Sequence, residues 1–221
     1  MTRSMTKRIA VVLSGCGNKD GSEVLESVSL ILNLSQAGVE VQYFAPNENF
    51  TPENFLTGEK LPLRNVMAES ARISRSQIAD LKTLSANDFE ALALPGGMGA
   101  ATNLCTWAKE GAKCQVNADL EKAIRDFHAQ SKPIAAICIA PTILARVLGK
   151  HKITVTIGDS KETAAEIEKT GAHHEVCPVE DYVTDREHKI ITTPAYMYAK
   201  AKPHQIHKGI TALCKEFLEM S

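Results

Sequence analysis

The stretch Pro133-Ile134-Ala135-Ala136-Ile137-Cys138-Ile139-Ala140-Pro141-Thr142 decides how this 221-residue chain folds. Residues 133–137 form a short apolar run, the pattern of a strand buried on both faces. Residues 139–148 follow with helical spacing. Pro141 suits a first helical turn, where amide donors lack partners in any case. A strand that turns at once into a helix is the repeating unit of a parallel sheet wrapped by helices. Cys138 stands on that turn. Ala136 and Ala140, two residues to either side, are small, as a sharp strand–turn–helix around a nucleophile requires.

The same alternation runs outward in both directions. Upstream, the sequence predicts strands over 8–14, 39–45 and 89–94 and helices over 23–36 and 119–130. Downstream it predicts a strand over 153–157, a helix over 163–170, a peripheral strand pair over 176–183 and 189–192, and a closing helix over 204–220. The expected fold is α/β and flavodoxin-like: a doubly wound, mostly parallel sheet with helices on both faces. Residues 46–88 are too long for a bare loop and contain a helix over 64–73. They read as a decorating insertion at the carboxyl edge of the sheet, within a single domain spanning 1–221.

Composition narrows the function. With 25 basic and 26 acidic residues the formal net charge is -1, so neither nucleic acid nor an anionic membrane is expected as the main partner. No stretch approaches the ~20 apolar residues of a membrane-spanning helix. Residues 1–8 are basic but lead into only a brief apolar run, 9–13, which does not make a signal peptide, so a cytoplasmic protein is expected. The six cysteines (Cys16, Cys105, Cys114, Cys138, Cys177 and Cys214) contain no Cys-x-x-Cys pair, against zinc-ribbon and thioredoxin readings. Most are expected to be buried, inert thiols. No metal site is expected: His204 and His207 have helical spacing but no third ligand nearby.

Cys138 is the exception by position. At a helix N-terminus a thiol feels the positive end of the dipole, which should lower its pKa. Leu94-Pro95-Gly96-Gly97-Met98-Gly99 follows a strand and can turn its amides toward a neighbouring strand end. It is not a phosphate loop, since no Gly-Lys-Ser/Thr follows. With a cysteine elbow beside it, the amides of Gly97 and Ile139 are candidates for an oxyanion hole.

These residues, with Ser14-Gly15-Cys16-Gly17, Asp20-Gly21-Ser22-Glu23 and Thr192-Thr193-Pro194-Ala195-Tyr196-Met197, resemble the ElbB branch (enhancing lycopene biosynthesis proteins) of the PfpI-type, class I glutamine amidotransferase-like superfamily. The matching motifs span nearly the whole chain. The resemblance implies a cofactor-free, often homodimeric protein described as a glyoxalase, and the family's name adds a link to isoprenoid biosynthesis. It also implies a first-helix glutamate beside the thiol. Glu26 is the matching position and Glu23 lies one turn earlier; residues three apart share a helix face, so either carboxylate is a candidate. Many relatives carry a histidine directly after the cysteine or at the end of the next strand. Here Ile139 and Ile157-Gly158-Asp159 hold those places, which weighs against amide hydrolysis. His174, if its loop folds over the cleft, is the substitute base. Cys16 and Gly96 are further pocket candidates.

The reading that results is a glutathione-independent glyoxalase, of lyase or hydratase type, acting on small 2-oxoaldehydes with Cys138 as nucleophile and Glu26 or Glu23 as proton carrier. The alternative is a redox-sensing or protein-binding module that reports through oxidation of Cys138. A glutaminase or peptidase ranks third.

Overall fold

The computed structural model describes residues 7–221, so the basic segment 1–6 weighed above lies outside the described residues. β1 (Arg8–Val12) leads through a turn to α1 (Val24–Gln36) and β2 (Glu40–Ala45). A short hairpin of β3 (Asn49–Phe50) and β4 (Arg64–Asn65) precedes α2 (Val66–Ser74) and β5 (Ile78–Asp80). After β6 (Ala91–Leu94) come α3 (Met98–Thr102), α4 (Trp107–Glu110) and α5 (Ala118–Ala129). β7 (Ile134–Ile137) enters α6 (Pro141–Leu148), followed by β8 (Thr154–Val155), α7 (Lys161–Lys169) and β9 (His173–His174). The last elements are β10 (Val183–Asp185), β11 (Ile190–Thr193) and α8 (Pro203–Met220).

Seven strands form the main sheet in the order β10-β11-β7-β6-β1-β2-β5, every pair parallel except β10 with β11. Side chains alternate between its faces, and both faces are covered. Ile9, Val11 and Leu13 of the β1 segment point toward Leu30 and Leu34 of α1 and Ile210 and Phe217 of α8. Ala10 and Val12 join the opposite core, with Leu120, Ile124 and Phe127 of α5 and Ile143 and Leu144 of α6. This is the doubly wound α/β architecture expected from the sequence.

Three details differ. Residues 46–88 do not stay apart from the sheet: β5 extends it beside β2, with Ile78 opposite Tyr43. The second strand of the expected peripheral pair is not peripheral. β11 is buried along its length and lies parallel to β7, Ile190 opposite Ile134, because a strand apolar on both faces belongs inside a covered sheet. The strand expected over 153–157 shrinks to β8 and pairs only with β9. β10 already occupies that edge of β11, and the Thr156 amide donates to the Thr192 hydroxyl (2.9 Å) instead of to a ladder.

β1 is flanked by β2 on one side and β6 on the other, so the strand order reverses at the carboxyl end of β1. Open α/β sheets leave a crevice at such a point. The turns after β1, β6, β7 and β11 meet there.

Candidate active site

Cys138 is the first residue after β7 and has φ of +62°, in the left-handed region that ordinary residues avoid. Two backbone bonds hold it there: its amide donates to the Thr193 carbonyl on β11 (2.9 Å), and the Ala140 amide donates back to Ile137 (3.0 Å). The tight turn delays α6 until Pro141, two residues later than the periodicity suggested. Strain of this kind persists where surrounding structure over-determines it, as at nucleophile elbows.

Glu26 reaches the same point from α1. With Leu30 and Leu34 it lies on the stripe of the helix that faces the sheet, and its carboxyl is wholly buried. Gly96 donates to Oε2 (3.1 Å) and Tyr196 to Oε1 (3.2 Å), both through backbone amides. The Cys138 thiol donates to the same carboxyl, while the amides of Gly97 and Ile139 point at its sulfur. The paired amides expected after β6 and after the cysteine thus converge on one sulfur atom.

The glycines are dictated by space. A methyl group on Gly96 would sit 2.3 Å from the Cys138 Cβ and 2.6 Å from Glu26 Oε2. At Gly97 the backbone takes φ of +94°, and a Cβ there would lie 2.3 Å from the Gly21 carbonyl. Only glycine allows the turn after β6 to pass this close to both the thiol and the α1 N-terminus.

Burial dominates the protonation of the pair. It pushes the Glu26 carboxyl up to about 8, helped by the charge of Glu23 and opposed by the amides of Tyr196 and Gly96 and by the thiol. Cys138, 7% exposed, is likewise raised by burial and by the neighbouring Glu26 charge. The amides of Gly97 and Ile139 pull the other way and do not prevail. This corrects the expectation of a lowered thiol pKa: the helix-end amides are present, but desolvation outweighs them.

The remaining candidates separate. Glu23 caps α1, its Oε2 accepting from the Glu26 amide (2.7 Å), and it stands half-buried at the helix start rather than on the thiol. Its own carboxyl is raised by burial and restrained by the amides it caps. Cys16 lies in the turn after β1, where the charged groups acting on it are Arg72 and Glu69 of α2 and Asp20, not the Cys138 centre. His174 does not replace the missing histidine. Its Nε2 accepts from the Ile157 amide (3.3 Å), so β9 ties it to the turn after β8 and away from the thiol. His207 contacts the Ser29 hydroxyl across α8 and α1 (3.2 Å).

Sequence reasoning missed the contribution of the segment after β11. The Thr193 carbonyl anchors Cys138, and the Tyr196 amide reaches Glu26 from a turn in which Ala195 holds φ of +42°. Thr192-Thr193-Pro194-Ala195-Tyr196 was visible as a motif, but its work is done by backbone groups that any residue carries.

Among the described residues, no group of three or more His, Cys, Asp or Glu side chains is arranged to hold a metal ion, and no helix is long and apolar enough to cross a membrane.

The sequence pattern of the DJ-1/PfpI family matches residues 7–197. The human glutamine amidotransferase-like class 1 domain-containing protein 3, a mitochondrial protein, is 42% identical over 97% of this chain and 83% of its own length. The ES1 protein homolog of Rattus norvegicus, also mitochondrial, is 40% identical over 97% of this chain and 84% of its own. Among solved structures, an isoprenoid biosynthesis protein with an amidotransferase-like domain from Ehrlichia chaffeensis superposes with a TM-score of 0.89 at 32% identity, covering 96% of this chain and 99% of that one. The mitochondrial relatives overturn the cytoplasmic expectation. That expectation rested on the residues before β1, and compartment is set by address segments that the folded residues do not encode.

Proposed function

This chain belongs to the DJ-1/PfpI family, and on that footing we propose that it is a cofactor-free, glutathione-independent glyoxalase turning small 2-oxoaldehydes into 2-hydroxy acids. The observation that carries the reading is the contact between the Cys138 thiol and the buried Glu26 carboxyl beneath the amides of Gly97 and Ile139.

The chemistry follows from those four groups. Glu26 accepts the thiol proton as sulfur adds to the aldehyde carbon of glyoxal or methylglyoxal. The two amides hold the resulting alkoxide until it is protonated. Glu26 then moves a proton from the former aldehyde carbon to its neighbour, which converts the hemithioacetal to a thioester of the 2-hydroxy acid. Water cleaves the thioester, releasing the acid and restoring the thiol. No amine departs at any step, so the absent histidine is not needed to protonate one.

The protonation of the pair favours this reading over a sensor at Cys138. Thiolates attack peroxide, and a thiol held protonated by burial and Glu26 offers little thiolate at neutral pH. Similarity to the Ehrlichia protein supports a role connected with isoprenoid biosynthesis.

A homodimer is part of the proposal. Val24, Val28 and Leu32 form an exposed apolar stripe on α1, four residues apart and opposite the stripe that carries Glu26. Val28→Glu should shift the sedimentation of the protein to that of a monomer.

The direct test is turnover of glyoxal and methylglyoxal by wild type, Cys138→Ala and Glu26→Gln. Both variants are expected to lose at least ~100-fold in rate, the usual scale for a nucleophile or proton carrier. Full activity in Cys138→Ala would sink the proposal.

A further inference from the structure

A second cluster of ionisable side chains lies at the amino edge of the sheet, where β7 and β11 begin, opposite the crevice that holds Cys138. Three turns meet there: the end of α5 with His128, the turn after α6 with His151, and the β10–β11 turn with His188. Centre to centre, the His128 ring lies 4.8 Å from that of His151 and 5.6 Å from that of His188, with His151 and His188 6.4 Å apart. Behind the rings, Asp185 accepts from Nδ1 of His188 (3.0 Å), from the His188 amide (3.0 Å) and from the Thr154 amide at the start of β8 (2.8 Å). We propose that His128, His151 and His188 are a proton-operated clasp: carrying at most one proton they hold the three turns together, and a second proton opens this edge of the molecule.

The charge balance sets the threshold at the second proton. Asp185 is the carboxylate bonded to the cluster, and it can neutralise one imidazolium. A proton on His188 therefore forms an ion pair, whereas a further one on His128 or His151 stands beside a like charge with no acid to balance it. The surrounding segments do not supply that acid. Lys132 is held on the Ala86 carbonyl (2.6 Å), Lys189 on the Met220 carbonyl (3.3 Å) and Arg186 on Glu216 (2.7 Å), while Asp126 is paired with Lys122. Lys150, Lys152 and Glu187 are exposed, where water and salt screen them.

Burial is the first cause of a lowered His128 pKa, followed by charge on His151 and on His188, with the Asp185 carboxylate pulling the other way. An open edge takes up this proton at the ordinary histidine value, and a closed one only at lower pH. The closed form is thus fully favoured above the ordinary value and loses that advantage as pH falls through the range. What opening releases follows from the contacts. β8 pairs only with β9, and its first amide rests on Asp185, so parting the turns frees these two short strands and the β10–β11 turn. β11 keeps its own ladder to β7, and the main sheet stays closed.

The test is hydrogen–deuterium exchange of the full-length protein, read by mass spectrometry from about pH 7.5 to about pH 5, with labelling times scaled to the intrinsic exchange rate. Protection of residues 149–155 and 183–190 should fall at least about tenfold across the series, the yield of one extra proton over one pH unit, while α1 loses none. His128→Phe keeps an aromatic ring in the stack but takes no proton, so protection there should change less than about twofold. His151→Gln, at an exposed position, removes one of the like charges and should move the midpoint of the loss to lower pH. Protection that is flat with pH in wild type, a loss shared equally by α1, or an unchanged loss in either folded variant would each overturn the proposal. His151→Gln decides the matter if His128→Phe does not fold.

Discussion

The Glu26 carboxyl and the Cys138 thiol are buried against each other; burial raises the proton affinity of both, and the Glu26 charge adds to that of Cys138 while the thiol partly offsets it at Glu26. At neutral pH the pair therefore holds two protons and no charge. Loss of the first proton creates a single negative charge shared between sulfur and carboxyl, and that form is the one able to add to an aldehyde. The rate of 2-oxoaldehyde turnover is expected to rise with pH and level off above about 8, where the first proton leaves the pair. A profile already flat between pH 6 and about 8 would show that the pair does not titrate in the reacting enzyme.

The same buried carboxyl makes stability depend on pH. Glu26 has a folded pKa of about 8 against an ordinary value of 4.5, so between those limits the folded protein holds a proton that the unfolded chain has given up. Stability from this group is complete below 4.5 and is lost as pH rises toward about 8. At ~1.4 kcal/mol per pKa unit the total loss is roughly 5 kcal/mol at most. Denaturant titrations at a series of pH values should show wild type losing stability relative to Glu26→Gln across this window. The slope is the readout, because the amide of Gln also turns a donor toward the Gly96 or Tyr196 amide and shifts both ends of the comparison.

Gly96 is the tightest point of the site. Ala at this position would place a methyl group 2.3 Å from the Cys138 Cβ and 2.8 Å from the Ile137 carbonyl, and neither neighbour is the free end of a long side chain. Overpacking of this kind costs about 1–3 kcal/mol. Gly96→Ala is expected to lower the melting temperature and to abolish turnover, since the thiol and Glu26 must separate to make room. Gly38→Ala is the comparison: its Cβ meets nothing within 4 Å, so only the backbone strain at φ of +72° remains, and activity should persist.

What the sequence made legible, and what it hid, divides along physical lines. The cysteine elbow was readable because three side-chain features coincide there: small residues at 136 and 140, Pro141 in the first helical turn, and an apolar run before it. The order β6, β7 and the glycine turn were readable for similar reasons. The choice between Glu23 and Glu26 was not made from spacing alone, yet Glu26, Leu30 and Leu34 repeat every fourth residue on the buried stripe, a signal that separates the two. The role of the turn after β11 could not be read, because carbonyl and amide groups leave no mark in a side-chain pattern. Nor could the thiol pKa, since depth of burial depends on how distant segments pack, while the helix dipole is local.

Glu23 is distinct from Glu26 in what its loss should do. It caps α1 through the Glu26 amide (2.7 Å) and acts on the pair only through its charge, which raises the Glu26 pKa. Glu23→Gln keeps an acceptor for the cap and removes the charge. The plateau rate should therefore be retained, while the midpoint of the pH–rate profile moves below that of wild type. Glu23→Ala removes the cap as well and is expected to cost about 1 kcal/mol of stability in addition to the same shift. Steady-state rates across pH and denaturant melts of the two variants check both statements. Loss of turnover at every pH in Glu23→Gln would instead put that carboxyl in the proton path, and the division of labour argued from the cap would fail.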